Sequence, residues 1–316
     1  MRKILVHILL LTLLLAASSV AQSSGSAGAF ARLGFGARGM GMGNALSAVN
    51  SGAVSTYYNP ALAAFSEERI GAATVGVLSL DRYLNFLSYT QALPPHAGLS
   101  VGIINAGVRY IDGRDNDGYH TEDYSTMENQ FYLSFANRVD ERVALGVSVK
   151  MYYAKLFDQV TTTTVGFDVG ILVKATDELS IGAVAQDINS KYKWDTKSIY
   201  DQNGKITEDK FPILYRFATA YKIPGTGAIV AGEFEHSSDK TNILRFGAEY
   251  NLMEHFSLRG GADRWGLGDN TTGVKPTFGF TAKSSFNGWT PAVNYAFVIE
   301  GFVPHGMHII TLTVAF

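Results

Sequence analysis

Leu145-Gly146-Val147-Ser148-Val149-Lys150-Met151-Tyr152-Tyr153 is the stretch whose reading decides the fold. Leu145, Val147, Val149, Met151 and Tyr153 occupy one set of alternating positions, and Gly146, Ser148, Lys150 and Tyr152 the other. A period of two places these sets on opposite faces of a β-strand. The same alternation returns downstream. Leu244, Phe246, Ala248 and Tyr250 alternate with Arg245, Gly247 and Glu249, and Phe256, Leu258, Gly260 and Ala262 with Ser257, Arg259, Gly261 and Asp263.

Working outward between turn signals, the pattern predicts strands over 70–79, 82–93, 97–109, 127–139, 142–156, 163–175, 178–190, 211–223, 226–237, 241–252, 255–266, 274–284, 289–298 and 305–316. Most match the roughly 9–11 residues of a tilted membrane strand. An even number of strands is what a closed antiparallel barrel with both ends on one side needs. The expected fold is therefore all-β, a 14-stranded antiparallel transmembrane β-barrel. With the C-terminus in the periplasm, the periplasmic links are Pro94-Pro95-His96, Asp140-Glu141, Thr176-Asp177, Pro224-Gly225, Met253-Glu254 and Ser285–Gly288, all short. The two long loops, 110–126 and 190–210, fall on the outside, the asymmetry of membrane barrels.

Composition agrees. Charged residues make up 17 % of the chain, against roughly 25 % in soluble domains, while Gly, Tyr and Phe are abundant. No stretch beyond the N-terminus approaches the ~18 apolar residues of a membrane helix. The net charge of −2 gives no basis for nucleic-acid binding, and without cysteine there is neither a disulfide scaffold nor a catalytic thiolate. At the N-terminus, Arg2 and Lys3 precede an apolar run from Ile4 to Leu15, and Ser19-Val20-Ala21 offers a cleavage site. This order is that of a secretory signal peptide. The expected division is 1–21 signal peptide, 22–69 an N-terminal segment plugging the lumen, and 70–316 the barrel. The destination is the bacterial outer membrane, and the expected partners there are outer-membrane lipid and the barrel assembly machinery. In the last strand His308, Ile310, Leu312, Val314 and Phe316 share one face. Ending on an aromatic residue, it resembles the terminal strand that this machinery reads.

Residues 22–69 do not alternate. Gly34, Gly36, Gly39, Gly41 and Gly43 crowd together, 44–50 reads as a short helix, and Asn59-Pro60 would cap and start another. Small residues permit close backbone approach, as a segment inside a barrel requires. Phe30-Ala31-Arg32-Leu33-Gly34-Phe35-Gly36-Ala37-Arg38-Gly39-Met40-Gly41-Met42-Gly43-Asn44-Ala45, followed by Tyr58-Asn59-Pro60-Ala61, resembles the opening of the PorV/PorQ family of FadL-like outer-membrane proteins. Gly34, Gly36, Arg38, Gly39, Gly41, Gly43, Asn59 and Pro60 carry the resemblance. It implies a fourteen-stranded barrel with a lumen segment. It also implies a non-enzymatic part in type IX protein secretion, with secreted cargo or attachment-complex proteins as partners. FadL relatives instead pass hydrophobic small molecules, which is the alternative reading.

Other motifs lack their context. Gly34-Phe35-Gly36-Ala37-Arg38-Gly39 matches the dinucleotide fingerprint, but Gly41 and Gly43 interrupt the helix it requires and no acid follows before Glu67. Gly98-Leu99-Ser100-Val101-Gly102 matches a hydrolase elbow but lies in an alternating strand, without a recognisable His and acid. Asp112, Asp115, Asp117, Glu122 and Asp123 crowd one loop without EF-hand spacing and read as solvated charges, with loose calcium binding as the alternative. His305 and His308 point to opposite faces and cannot share a metal. The expectation is no enzyme, no metal and no cofactor.

The polar faces of three consecutive strands carry Glu233, Glu235, Arg245, Glu249, Arg259 and Asp263. Pairing across the tight turns puts Glu233 opposite Arg245 and Glu249 diagonal to Arg259, with Gly247 and Gly261 leaving room for the guanidinium groups. This set is either a structural ladder gripping the N-terminal segment or a selectivity lining of the lumen. Gly166, Gly170 and Gly182 are expected to permit a bulge or kink in their strands.

Overall fold

Alternating sequence makes strands whose two faces differ, and fourteen such strands close into a ring. The computed structural model describes residues 26–316, except 54, 158, 268–272, 302 and 304. The signal-peptide reading of residues 1–21 lies outside the described residues. The barrel strands are β1 (Ile70–Val77), β2 (Arg82–Leu93), β3 (Ala97–Arg114), β4 (His120–Asp140), β5 (Val143–Phe157), β6 (Val160–Lys174) and β7 (Leu179–Ile188). A small two-stranded hairpin, β8 (Lys191–Asp195) with β9 (Ile206–Lys210), interrupts the series. It continues with β10 (Leu214–Ile223), β11 (Ala228–Ser237), β12 (Asn242–Met253), β13 (Phe256–Gly266), β14 (Lys275–Lys283), β15 (Thr290–Val298) and β16 (Met307–Ala315). Each barrel strand pairs antiparallel with its chain neighbours, β7 pairs with β10, and β16 closes on β1 from Ile70↔Ala315 to Val77↔His308. The backbone of Phe316 seals the seam by exchanging two hydrogen bonds with Arg69, at 3.0 and 3.1 Å.

The faces are inverted relative to a soluble protein. In β5 the exposed residues are Leu145, Val147, Val149 and Met151, whereas Gly146, Ser148, Lys150 and Tyr152 are buried. Lys150 is only 4 % exposed while Val147 is 51 % exposed. An apolar exterior around a polar interior suits a barrel whose outside meets hydrocarbon. Of the terminal residues, His308, Ile310, Leu312 and Phe316 are exposed and Val314 is half-buried, while Thr311 on the other face is buried. Phe316 stacks on Trp289 with ring centres 5.6 Å apart, within an aromatic cluster at the end where the barrel closes.

Two expected loops are largely ordered. The first is a continuation of the ladder, with β3 and β4 pairing up to Arg114↔His120. The second folds back as the β8–β9 hairpin, Lys191 pairing with Lys210. The crowded acids of the first loop mostly serve its tip. The Asp115 carboxylate accepts the backbone N–H groups of Asp117 and Tyr119, and Glu122 accepts the Tyr124 hydroxyl. Asp112 binds both Arg114 and His120. Asp112, His120 and Asp123 do approach one another at exposed positions, but the guanidinium on Asp112 already supplies the positive charge a cation would bring.

Candidate functional site

The N-terminal segment contains helix α1 (Gly36–Gly41) and 3-10 turns at Ala29–Arg32 and Pro60–Phe65. The helix falls on the glycine run itself rather than on 44–50, which forms turns. Helix α1 packs against β13–β16, and the Pro60–Phe65 turn packs against β2–β6. A buried segment touching strands from both sides of a closed ring lies inside it.

Glycines on the inner wall mark where the segment's backbone lies. A Cβ at Gly98 would run into the carbonyl of Ala63, and one at Gly146 into Pro60 and Ala61. At Gly170 it would strike the Asn59 side chain, and at Gly182, 2.6 Å away, the Ser47 carbonyl. Gly247 and Gly261 face each other across β12 and β13 and receive the backbone of Met42 and Gly43. These two were expected to make space for guanidinium groups; they make space for main chain instead. Gly170 and Gly182 likewise mark contacts rather than kinks, and Gly166 admits the Ser190 hydroxyl.

Each residue of the opening motif has a place in this packing. Gly34, at φ +126°, and Gly36, at φ +69°, adopt conformations that suit glycine. Gly39 lies against Tyr58, and Gly41 approaches Gly279 of the wall. The Gly41 carbonyl and the Gly43 N–H both bond the Thr277 hydroxyl, at 3.0 and 3.1 Å. Asn59 caps the turn begun by Pro60, accepting the Ala61 N–H. Its amide also donates to the carbonyls of Ser47 and Ile171 at 2.9 and 3.1 Å, tying segment to wall.

All six expected wall residues are buried and point inward, and they form two groups. Arg245 reaches Glu233 at 3.2 Å, Glu235 at 3.0 Å and Asp263 at 2.7 Å. Arg216, a further inward residue on β10 directly opposite Glu235, binds it at 2.8 Å. Asn44 of the segment donates to Asp263 at 3.0 Å, and the Ser47 N–H to Glu233 at 3.3 Å. In the second group Glu249 accepts both Arg259 and Arg38. Glu233 does pair with Arg245, but Glu249 stands directly opposite Arg259 rather than diagonal to it. Buried charges persist only when paired and hydrogen-bonded, and here the segment completes both groups.

A third group comes from a break in alternation. A β-bulge in β7, opposite Asp168, turns Gln186 and Asp187 inward together, with Asp187 at φ +62°. Bulges re-aim side chains in this way. Lys150 then reaches Asp168 at 2.7 Å and Asp187 at 3.0 Å, and Tyr152 donates to Asp187 at 2.5 Å. Arg32 stands 3.9 Å from the same carboxylate.

Between the segment and the inner faces of β1, β2 and β16 lies a cavity of about 60 Å³, lined by Phe35, Leu46, Tyr132 and wall hydroxyls such as Thr74 and Thr90. Above it, Phe35 packs against Tyr57, Phe86 and Tyr132 with ring centres 5.2, 4.7 and 6.0 Å away.

No protein-family model matches the chain, and no curated protein sequence does. The PorV/PorQ resemblance of the opening segment therefore has no family match behind it. Solved structures do match across most of the chain. It is similar to the Ralstonia pickettii toluene transporter TbuX, with 14 % identity over 89 % of this chain and 98 % of that one, at a TM-score of 0.65. The Pseudomonas putida toluene transporter TodX matches with 13 % identity over 89 % and 96 %, at a TM-score of 0.64. A Pseudomonas aeruginosa FadL homologue matches with 11 % identity over 89 % and 98 %, at 0.59. At such identities the likeness is one of fold: the chain is a fourteen-stranded barrel of the FadL type.

Proposed function

We propose that this protein is a passive outer-membrane channel for small hydrophobic molecules, exported to that membrane by its N-terminal signal. The observation that carries the reading is a closed barrel with a segment packed against strands on opposite sides of its inner wall, in a fold shared with hydrocarbon transporters. A filled lumen argues against an open aqueous pore, and an apolar exterior argues for residence in the bilayer. Among the described residues the charged groups of the lumen pair with one another and with the segment, an arrangement suited to gating rather than to chemistry. The test is uptake of radiolabelled toluene by cells of a host lacking its own FadL-type channels. Expression should raise uptake several-fold over empty vector, with glucose-sized polar solutes unaffected. Equal uptake with and without the protein would overturn the reading.

A second reading, a part in type IX secretion with cargo or attachment-complex partners, rests on the opening motif. That motif is occupied inside the barrel: Arg38 holds Glu249, Asn59 holds the wall, and the glycines admit neighbouring atoms. It speaks for a lumen segment more than for a docking surface. Affinity purification from native outer membranes decides between the readings. Secreted proteins or attachment enzymes in the eluate would favour secretion.

A further inference from the structure

The inner face of β4 carries Glu128, Gln130 and Tyr132 in succession, running from the loop end of the barrel toward its closing end. Glu128 accepts the hydroxyl of Tyr192 from the β8–β9 hairpin at 3.0 Å. Tyr132 lines the cavity beneath. Between them Gln130 is completely buried, and neither its amide nitrogen nor its carbonyl oxygen has a hydrogen-bond partner in the protein. Its strand neighbours are apolar or aromatic: it pairs with Ile104 on β3 and Tyr152 on β5. A buried polar group without a partner is destabilising by about 1–3 kcal/mol, so a glutamine here, where leucine would pack, calls for an occupant that bonds it.

The mooring of the segment points to the same wall. On the β11–β14 side it is held by bonds to buried carboxylates, an ion pair from Arg38 and an amide hydrogen bond from Asn44. Along β3–β5, at the level of Gln130, Phe30 meets Tyr152 edge-on and Phe35 meets Tyr132; the charged group here, Lys150 with Asp168 and Asp187, ties wall to wall, and the segment's Arg32 stands 3.9 Å from Asp187. Aromatic contacts yield to a passing solute more readily than buried ion pairs do.

Resting on the channel reading above, we infer that Gln130 is an internal hydrogen-bonding station for solutes crossing along β4. The substrate class it selects is a single aromatic ring bearing one hydroxyl or carbonyl. The cavity beyond Tyr132 is the chamber such a solute reaches next. At about 60 Å³ it is smaller than the ~150 Å³ cavity that accepts benzene, so a ring enters only as Phe35 turns aside. Half-exposed Ala53, Ser55 and Thr313 at its margin let it empty at the closing end.

The test compares uptake of radiolabelled p-cresol and toluene, which differ by one hydroxyl, in cells expressing the full-length protein. Gln130→Met keeps the side-chain length and removes the amide; Gln130→Asn keeps the amide. We expect Gln130→Met to lower the p-cresol to toluene uptake ratio by about fivefold, the effect of one uncharged hydrogen bond, with toluene uptake unchanged and Gln130→Asn retaining most of the ratio. An unchanged ratio in a folded Gln130→Met barrel would overturn the inference and leave Gln130 to bound water. Equal loss of both solutes in Gln130→Met, with Gln130→Asn equally impaired, would overturn it in favour of a structural role. A wild-type protein that carries neither solute would overturn the channel reading itself, and the inference with it.

Discussion

Arg38 grips Glu249 with both arms of its guanidinium, Nε at 3.0 Å from one carboxylate oxygen and Nη2 at 2.9 Å from the other. Its remaining nitrogen donates to the carbonyls of Ser51 and Ala53 at 2.7 and 2.8 Å. One side chain thus fixes the segment to β12 and also closes the segment's own loop. Glu249 in turn holds Arg259. The two partners are therefore not equivalent. Glu249→Gln strands two guanidinium groups, whereas Arg38→Met leaves Glu249 with Arg259. We expect Glu249→Gln to be the more damaging, by about 3–5 kcal/mol as for a broken buried pair. The urea midpoint of the folded barrel, read by its unheated gel mobility, measures this. Arg38→Met should show a smaller shift but faster hydrogen exchange across residues 36–53.

The wall glycines make a separate prediction. At Gly146 a Cβ would meet main-chain atoms of Pro60 and Ala61, which cannot swing away as a side-chain tip does. At Gly71, on β1, nothing lies within 4 Å of the same position. Gly146→Val should therefore displace the segment from its seat while the strands still pair, at an overpacking penalty of about 1–3 kcal/mol. Gly71→Val should be silent. Planar-bilayer conductance separates them: several-fold higher for Gly146→Val, unchanged for Gly71→Val. Wild-type conductance from a folded Gly146→Val barrel would mean that the Pro60–Phe65 turn does not obstruct the lumen.

The loop after β15 carries a pH-dependent tie. Glu300 accepts Arg82 from β2 at 3.0 Å and Lys275 from β14 at 2.9 Å. Burial works against its charge, but Lys275 and Arg82 outweigh that and hold its carboxyl below the usual value of 4.5. A depressed carboxylate contributes stability that is fully present above its unfolded pKa and is lost as pH falls through the folded one. The tie should thus hold at neutral pH and fail only below about 4.5. Limited proteolysis at stepped pH should show the loop opening in that acid range. In Glu300→Gln the loop should be equally susceptible at pH 7 and pH 4.

How much of this was legible depends on the length scale of the signal. Strand existence was plain because lipid outside and polar lumen inside impose opposite demands on successive residues, as Val147 and Lys150 show. Strand ends were less plain. β3 and β4 extend to Arg114 and His120 because pairing can outrun alternation beyond the apolar band. The wall charges on β11–β13 were visible for the same reason as the strands. Asp187 was not, since a bulge cancels the period that would have placed it. Arg38 stood out only as part of the opening motif, because the segment has no period of its own and local sequence carries no record of its contact with Glu249. Arg216 was legible by the same alternation as the other wall charges, since it lies on the inner face of β10 directly opposite Glu235. The wall glycines were seen but misread, because a missing side chain does not say which atom occupies the space.

Arg245 brings the choice between ladder and lining to a measurement. It is 3 % exposed, touches Glu233, Glu235 and Asp263, and shares two of those acids with Arg216. Charge reversal, Arg245→Glu, would pack four carboxylates around one guanidinium, and we expect no folded barrel from it. Arg245→Met is the informative variant, because it removes the charge and keeps much of the bulk. As a structural tie, its loss leaves three carboxylates to Arg216 and to the donors of Asn44 and Ser47, a destabilisation of about 3–5 kcal/mol. Adding Asp263→Asn, which removes one stranded charge, should then recover part of that loss, since neighbouring sites couple. As a selectivity lining, the same variant would leave the urea midpoint in place and move the reversal potential under a salt gradient. The burial of every member of the group, and its completion by the N-terminal segment, predict the first outcome.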